Sequence, residues 1–351
     1  MAEEILSGRL NKDKVRLGQE AVAELYGQSY FGRPLSNGLE LSLVEAAYLL
    51  DRSKIRVLNE GKELDFQSLF EISSSLEKGF EFRYVVYKDL RERGYYVQPG
   101  RPDFRVYPRG GHPGKTAAEY YVLVISERTP LPLNEVLEPV RMAGQMRKKL
   151  MLAIVDEESD ITFYEAREKS LSGQMKDDKA EGSATLLEDR VVLWDEPTAM
   201  QLHEHGFYGQ LVGGRLQLSL VESAYLLEQG QLQLADRLGS NLELEGFKEK
   251  ARKIEEDFDL KYQAYRDLRS RSLVVKTGFK FGSHFRVYKQ VLGTTKVPHS
   301  EYLVHVVPSD HVFHLQALSR SVRLAHSVRK QMLFAYPDGE VKYLEIRRIR
   351  P

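Results

Sequence analysis

A chain of 351 residues without a single cysteine excludes disulfides and thiolate metal sites, and is long enough for two or more domains with cores of their own. Lys plus Arg and Asp plus Glu both total 51, so net charge points to no polyanionic partner. No apolar run approaches the ~20 residues that span a membrane, and MAEEILSG lacks the regions of a signal peptide, so a cytoplasmic protein is expected.

Taken in order, the chain repeats itself. LELSLVEAAYLL (39–50) returns as LQLSLVESAYLL (216–227), with Ser42 matched to Ser219 at an offset of 177. YFG (30–32) and FYG (207–209) share that offset, and VYKDLRERG (86–94) matches AYRDLRSRS (264–272) at 178. FRVY recurs at 104–107 and 285–288, and VRMAGQMRKKLMLA (140–153) matches VRLAHSVRKQMLFA (322–335). Blocks in one order with offsets that drift by a few residues mean a tandem duplication of a domain of roughly 160 residues, too long a period for a solenoid. The joint lies in a polar stretch without apolar periodicity, which reads as a flexible linker. The expected division is a first repeat over 1–165, a linker over 166–188, an N-terminal part of the second repeat over 189–272 and a catalytic part over 273–351.

Each repeat divides into a helical part and an alternating part. Ser42 with Glu45 and Ser219 with Glu222 form capping boxes, so a helix starts after each serine. Phe247, Ala251, Ile254, Phe258, Tyr262, Tyr265 and Leu268 recur at spacings of three and four, which predicts one long helix over 243–271. Its counterpart is 64–92. Beyond it, VVKTGFKFGSHFRVYKQ predicts a hairpin turning at Gly278 or Gly282, and SEYLVHVV a strand. A helix is expected over 315–332, then two strands joined by PDGE. The order βββαββ after a helical and small-sheet part is α+β. Along FRVY, Arg286 and Tyr288 share one face while Phe285 and Val287 face the core.

The chemistry concentrates in 285–332. Tyr288, His299 and Lys330 offer a phenol, an imidazole and an amine. Arg323 and Lys330 are seven residues apart, which on a continuous helix puts them on one face roughly 10 Å apart. Three such groups without nearby carboxylates suit RNA cleavage by the ribose 2′-hydroxyl: a base takes its proton, an acid protonates the departing 5′-oxygen and a cation stabilises the phosphorane. Imidazole suits the acid, because histidine titrates near neutrality. A phenol is a poor base at its free pKa of ~10 and needs positive charge beside it, which Lys330 or Arg323 would supply. The duplication adds weight. The first repeat keeps Tyr107 and Lys148 but has Ala117 where the second has His299, which fits one active and one structural copy.

GFKFGSHFRVY (278–288), VPHSEYLV (297–304) and VRLAHSVRKQM (322–332) resemble the signature blocks of archaeal tRNA-splicing endonucleases, and the tandem layout resembles the fused-repeat, homodimeric subclass. The resemblance covers both repeats and implies a restriction-endonuclease-like α/β/α subdomain in each. It implies cleavage of precursor tRNA at both edges of an intron held in a bulge-helix-bulge, giving 2′,3′-cyclic phosphate and 5′-hydroxyl ends. By motif, Tyr288 is similar to the general base, His299 to the general acid and Lys330 to the transition-state stabiliser. Arg323 and Arg348, with Arg347 as the alternative to the latter, match arginines that clamp an extruded base. Asp156, Glu157, Glu158 and Asp160 match an acidic loop that docks on the partner subunit. No metal, cofactor, membrane or DNA partner is expected. His284, His305 and His326 are left open as assisting groups.

Two rival readings stand beside this one. A metal-dependent nuclease would use a Glu-x-Lys such as Glu340 and Lys342, although no acidic partner is evident in the core strands. A non-catalytic RNA-binding scaffold would have no need of all three proton-handling groups.

Overall fold

The computed structural model describes residues 5–175, 179–291, 293 and 298–351, and in it both Ser-x-x-Glu boxes open a helix, Leu43–Asp51 and Leu220–Glu228. Glu222 is buried and uses both carboxylate oxygens: it accepts from the Ser219 amide (2.9 Å), the Ser219 hydroxyl (2.8 Å) and the amide of Gly209 (2.9 Å). Glu45 does the same with Ser42 and Gly32. That is why the Tyr/Phe-Gly block recurs with the box. Both glycines are left-handed, at φ +73° and +51°, and a Cβ on Gly209 would lie 2.3 Å from the Gln217 carbonyl.

The chain divides into two units. One holds residues up to Leu131, Glu135–Arg167 and Arg348–Pro351, and the other holds Pro132–Asn134 and Glu168–Arg347. In the first, a six-stranded small sheet carries helix Leu43–Asp51, and a second sheet runs in the order Val97–Pro99, Phe104–Val106, Tyr120–Ser126, Lys149–Val155, Ile161–Glu168. The second unit repeats the plan. Its small sheet has five strands, and its second sheet runs Val274–Thr277, Phe285–Tyr288, Tyr302–Val306, Gln331–Asp338, Glu340–Ile349. In each second sheet the strand pair bridged by the crossover helix is parallel and the other neighbours are antiparallel. The fold is α+β, with βββαββ in each catalytic-type part as the patterning predicts. In the second unit, one continuous core runs from Leu186 and Tyr208 through Phe258 and Leu268 to Val287, Val304 and Leu333.

Three expectations need correction. The long helix over 243–271 is two helices, Leu244–Ile254 and Phe258–Ser270. Glu255 turns extended between them, and its carbonyl accepts from the Phe258 amide at 3.1 Å. The first repeat breaks likewise, between Phe66–Leu76 and Phe80–Glu92, at left-handed Gly79. Apolar spacing survives the break because both pieces turn their stripe to the same core, so periodicity could not show it.

The segment 166–188 is not a flexible linker throughout. Gly173, Gln174 and Met175 donate backbone hydrogen bonds to Arg271, Lys289 and Ser272, Leu171 is buried, and Gly182–Leu186 is a strand of the small sheet. Its polar composition reflects a strap held by backbone hydrogen bonds, which side-chain patterning does not report.

The helix expected over 315–332 ends at Ser327. Arg329 is left-handed at φ +57°, and Met332 already lies in the next strand. Arg323 and Lys330 therefore do not share a helix face. Leu315, Leu318, Val322 and Ala325 do form the buried stripe.

Candidate active site

Tyr288 ends the strand Phe285–Tyr288. Its side chain leaves the face opposite Phe285 and Val287, as alternation requires, but it is buried, packed among Phe207, Val274 and Val291. The next strand begins one register step away, with the Glu301 amide on the Val287 carbonyl (3.1 Å) and Glu301 Oε2 accepting from the Lys289 amide (3.1 Å). His299 and Ser300 immediately precede it, the imidazole exposed and Ser300 buried.

Lys330 arrives from the other direction. Because the helix stops at Ser327 and Arg329 turns left-handed, the chain reverses. The Gln331 amide then bonds the Glu301 carbonyl at 2.9 Å, and Lys330 Nζ donates to the Ser300 carbonyl at 2.9 Å. The ring of Phe281 lies 5.6 Å from the same amine, within cation–π reach. Lys330 is thus tied to the residue that follows His299. Arg286 and Glu301 act electrostatically on both Lys330 and Tyr288.

Those fields have definite signs. Burial pushes the Tyr288 phenol above its ordinary value; Arg286 opposes this and Glu301 adds to it. Burial pushes the Lys330 amine down, Arg286 pushes it further, and Glu301 offsets part of the fall. The charge that favours a phenolate is therefore Arg286. The positions legible in hindsight were Arg286, two residues before Tyr288 on a strand, and Glu301, two after His299.

The first repeat handles the same positions differently. Ala117 is exposed where His299 stands in the second. The Tyr107 phenol donates to Gln98 Oε1 at 2.7 Å, so it is a committed donor. Arg323 is exposed on the helix Leu315–Ser327, and Arg348 is exposed near the end of Glu340–Ile349, in the portion grouped with the first unit. Arg347 is exposed too, but it has an interaction within the fold.

The acidic stretch is the tip of the hairpin between Lys149–Val155 and Ile161–Glu168. Asp156 is spent on the turn, accepting from the amides of Glu158 (3.0 Å) and Asp160 (2.9 Å), and Glu157 pairs with Arg128 at 2.6 Å. Glu158 and Asp160 point no hydrogen bond or ion pair at any described side chain.

His284 and His305 stack at 4.3 Å at the far end of the strand from Tyr288. His284 Nδ1 accepts from the Val306 amide (2.9 Å), which requires the neutral ring, and burial with His305 lowers its pKa to about 4 despite Asp257. The role is structural. An unfolded imidazole binds a proton near pH 6.5 that the folded one refuses until about pH 4. Its stability contribution is therefore complete above pH 6.5 and lost as pH falls, to a total of about 3 kcal/mol. Thermal melts at pH 7 and pH 4.5 should show a larger acid loss in the wild type than in His284→Asn; equal losses would refute the assignment. His326 is exposed in the last turn of its helix.

The duplicated α+β frame carries, in its second copy, a phenol at a strand end, an exposed imidazole ahead of the next strand and an amine bonded to the Ser300 carbonyl, the candidate site of a nuclease-like protein. The model of the tRNA intron endonuclease N-terminal domain matches residues 6–70 and 182–248, and that of the tRNA intron endonuclease catalytic C-terminal domain matches 80–163 and 258–343. Relatives include tRNA-splicing endonucleases of Methanococcoides burtonii (54% identical over 97% of this chain and 98% of the relative), Methanosarcina mazei (53%, over 99% of each) and Halobacterium salinarum (38%, over 99% and 100%). The chain belongs to the tRNA intron endonuclease family, and it is an endonuclease. No described helix is long and apolar enough to cross a membrane.

Proposed function

We propose that this endonuclease excises introns from precursor tRNA by cutting both junctions in a bulge-helix-bulge, without a metal ion, leaving 2′,3′-cyclic phosphate and 5′-hydroxyl ends. The observation that carries this reading is the tie between Lys330 Nζ and the Ser300 carbonyl, which fixes a half-buried cation to the residue that follows His299, while Tyr288 and Lys330 share the fields of Arg286 and Glu301. Tyr288 takes the proton of the ribose 2′-hydroxyl, whose oxygen then attacks its own phosphorus. Lys330 stabilises the negative charge that gathers on the phosphorane oxygens, and His299 protonates the departing 5′-oxygen. The bond to the 5′-oxygen breaks as the 2′-oxygen bond forms, so the products are cyclic phosphate and hydroxyl with no water consumed.

Arg323 and Arg348 are proposed to hold an unpaired bulge base between their guanidinium planes, a usual way of gripping RNA outside a helix. Two cuts require two sites and each chain holds one full set, so the working form is proposed to be a homodimer. In it, the Asp156–Asp160 tip docks on the partner through Glu158 and Asp160, since Asp156 and Glu157 are engaged within the chain. End-group analysis of a bulge-helix-bulge RNA cut in the presence of EDTA tests the chemistry. Cyclic phosphate and 5′-hydroxyl ends formed at an undiminished rate are expected. Abolition by EDTA, or 5′-phosphate ends, would favour a metal-dependent nuclease instead.

A further inference from the structure

Arg286 stands two residues before Tyr288, so both side chains leave one face of the sheet. Its cross-strand partner on that face is Lys276, and like charges directly opposite each other disfavour pairing. Lys276 is provided for: its amine donates to the carbonyls of Phe207 (2.9 Å) and Gly209 and lies 3.8 Å from Glu222. Arg286 is not. Its Nε is fully buried and has no hydrogen-bond partner among the described residues. A buried guanidinium nitrogen left unpaired is costly, so its retention calls for a use. The side chain lines a cavity of about 390 Å³ together with Lys276, Ser219 and Gln217.

The first repeat supplies the contrast. There the residue opposite Arg105 is Gln98, and Gln98 Oε1 accepts a hydrogen bond from the Tyr107 phenol, which favours its protonated form. In the second repeat the same place is taken by Lys276, whose ammonium is a donor only and cannot accept a hydrogen bond from a phenol.

We propose that Arg286 is a positioning residue for the cleavage step, its guanidinium, unpartnered at Nε, holding the Tyr288 phenol ready to release a proton to solvent before it acts as base. This rests on the reading of Tyr288 as the base. Among the described residues, those packed on the phenol, Phe207, Val274, Val291 and Met175, are apolar. Of the charged groups acting on it, Glu301 opposes ionisation and Arg286 favours it.

A phenol titrates above an imidazole, so the productive form, phenolate with imidazolium, is a minority species. Its share falls tenfold for each unit by which the phenol pKa rises, and the alkaline limb of the rate profile moves up by the same unit. Single-turnover cleavage of a bulge-helix-bulge RNA should be followed from pH 5 to 10 in the wild type, Arg286→Gln, Arg286→Lys and Tyr288→Phe. The Tyr288 midpoint should be read in parallel by ¹³C NMR of labelled tyrosine, with Tyr288→Phe identifying the signal. Arg286→Gln is expected to cut the neutral-pH rate about tenfold and to raise the Tyr288 midpoint by about one unit, and Arg286→Lys to restore both. A loss of rate with an unmoved midpoint, or a moved midpoint with an unchanged rate, overturns the proposal. If Arg286→Gln does not fold, Arg286→Lys decides: a midpoint displaced by a full unit with the charge retained overturns it too. Tyr288→Phe separates the two ideas. Wild-type cleavage there removes the base assignment itself, whereas lost cleavage with an unresponsive Arg286→Gln removes only the role of Arg286.

Discussion

Replacing His299 with alanine should lower single-turnover cleavage by about 10²–10⁴-fold, the range for loss of a general acid, while RNA binding and the melting temperature stay close to wild type. The imidazole is exposed and takes no part in the core, so its removal leaves no cavity and no unpaired buried group. What disappears is the proton for the 5′-oxygen, whose departure as an alkoxide is then the costly event. Gel-shift binding measured beside cleavage checks this. Cleavage unchanged in His299→Ala would end the role assigned to the residue, and binding lost along with cleavage would make it a docking residue.

Loss of the Lys330 amine comes next in size. Lys330→Ala should reduce cleavage by about 10²–10³-fold, as removal of one oxyanion-stabilising group does elsewhere. The same substitution releases the Ser300 carbonyl, and with it the hold on the segment that carries His299. Lys330→Arg is expected to recover only part of the rate, because the planar fork is larger than the compact ammonium that fits this carbonyl. Its pH signature is distinct. Burial and Arg286 hold the amine below the usual lysine range, so its charge is lost at a lower pH than that of an ordinary lysine. The gap between wild type and Lys330→Ala should therefore narrow as pH rises. A gap that stays constant to pH 10 would show that the charge is not what Lys330 contributes.

How much of this was legible beforehand depends on which physical signal each feature leaves. The duplication, both capping boxes and the βββαββ order are written in residue identity and spacing, and Ser42, Glu45, Ser219 and Glu222 take those places in the fold. The face shared by Arg286 and Tyr288 followed from alternation along a strand. The breaks at Glu255 and Gly79 did not show, because a stripe that continues to face one core keeps its period across a bend. The end of the helix at Ser327 was hidden for a related reason. Val328 and Met332 continue the apolar count although the chain has already left the helix, and Arg329, a residue without glycine's freedom, makes the left-handed turn.

That turn divides what the sequence determined from what tertiary structure decided. Residue types and repeat comparison were enough to single out Tyr288, His299 and Lys330, and to set His299 against Ala117, because chemistry resides in the side chain and duplication supplies its own control. Which charge acts on which group was decided by folding alone. An electrostatic effect depends on separation and burial, and the residues concerned, Arg286, Glu301, Ser300 and Lys330, come from strands paired across the chain and from the loops that join them. A helix ending three residues before Lys330 placed its amine on the Ser300 carbonyl instead of beside Arg323. The pairing of two strands set Lys276 against Arg286 and left its Nε buried with no partner among the described residues, on the same face as the phenol.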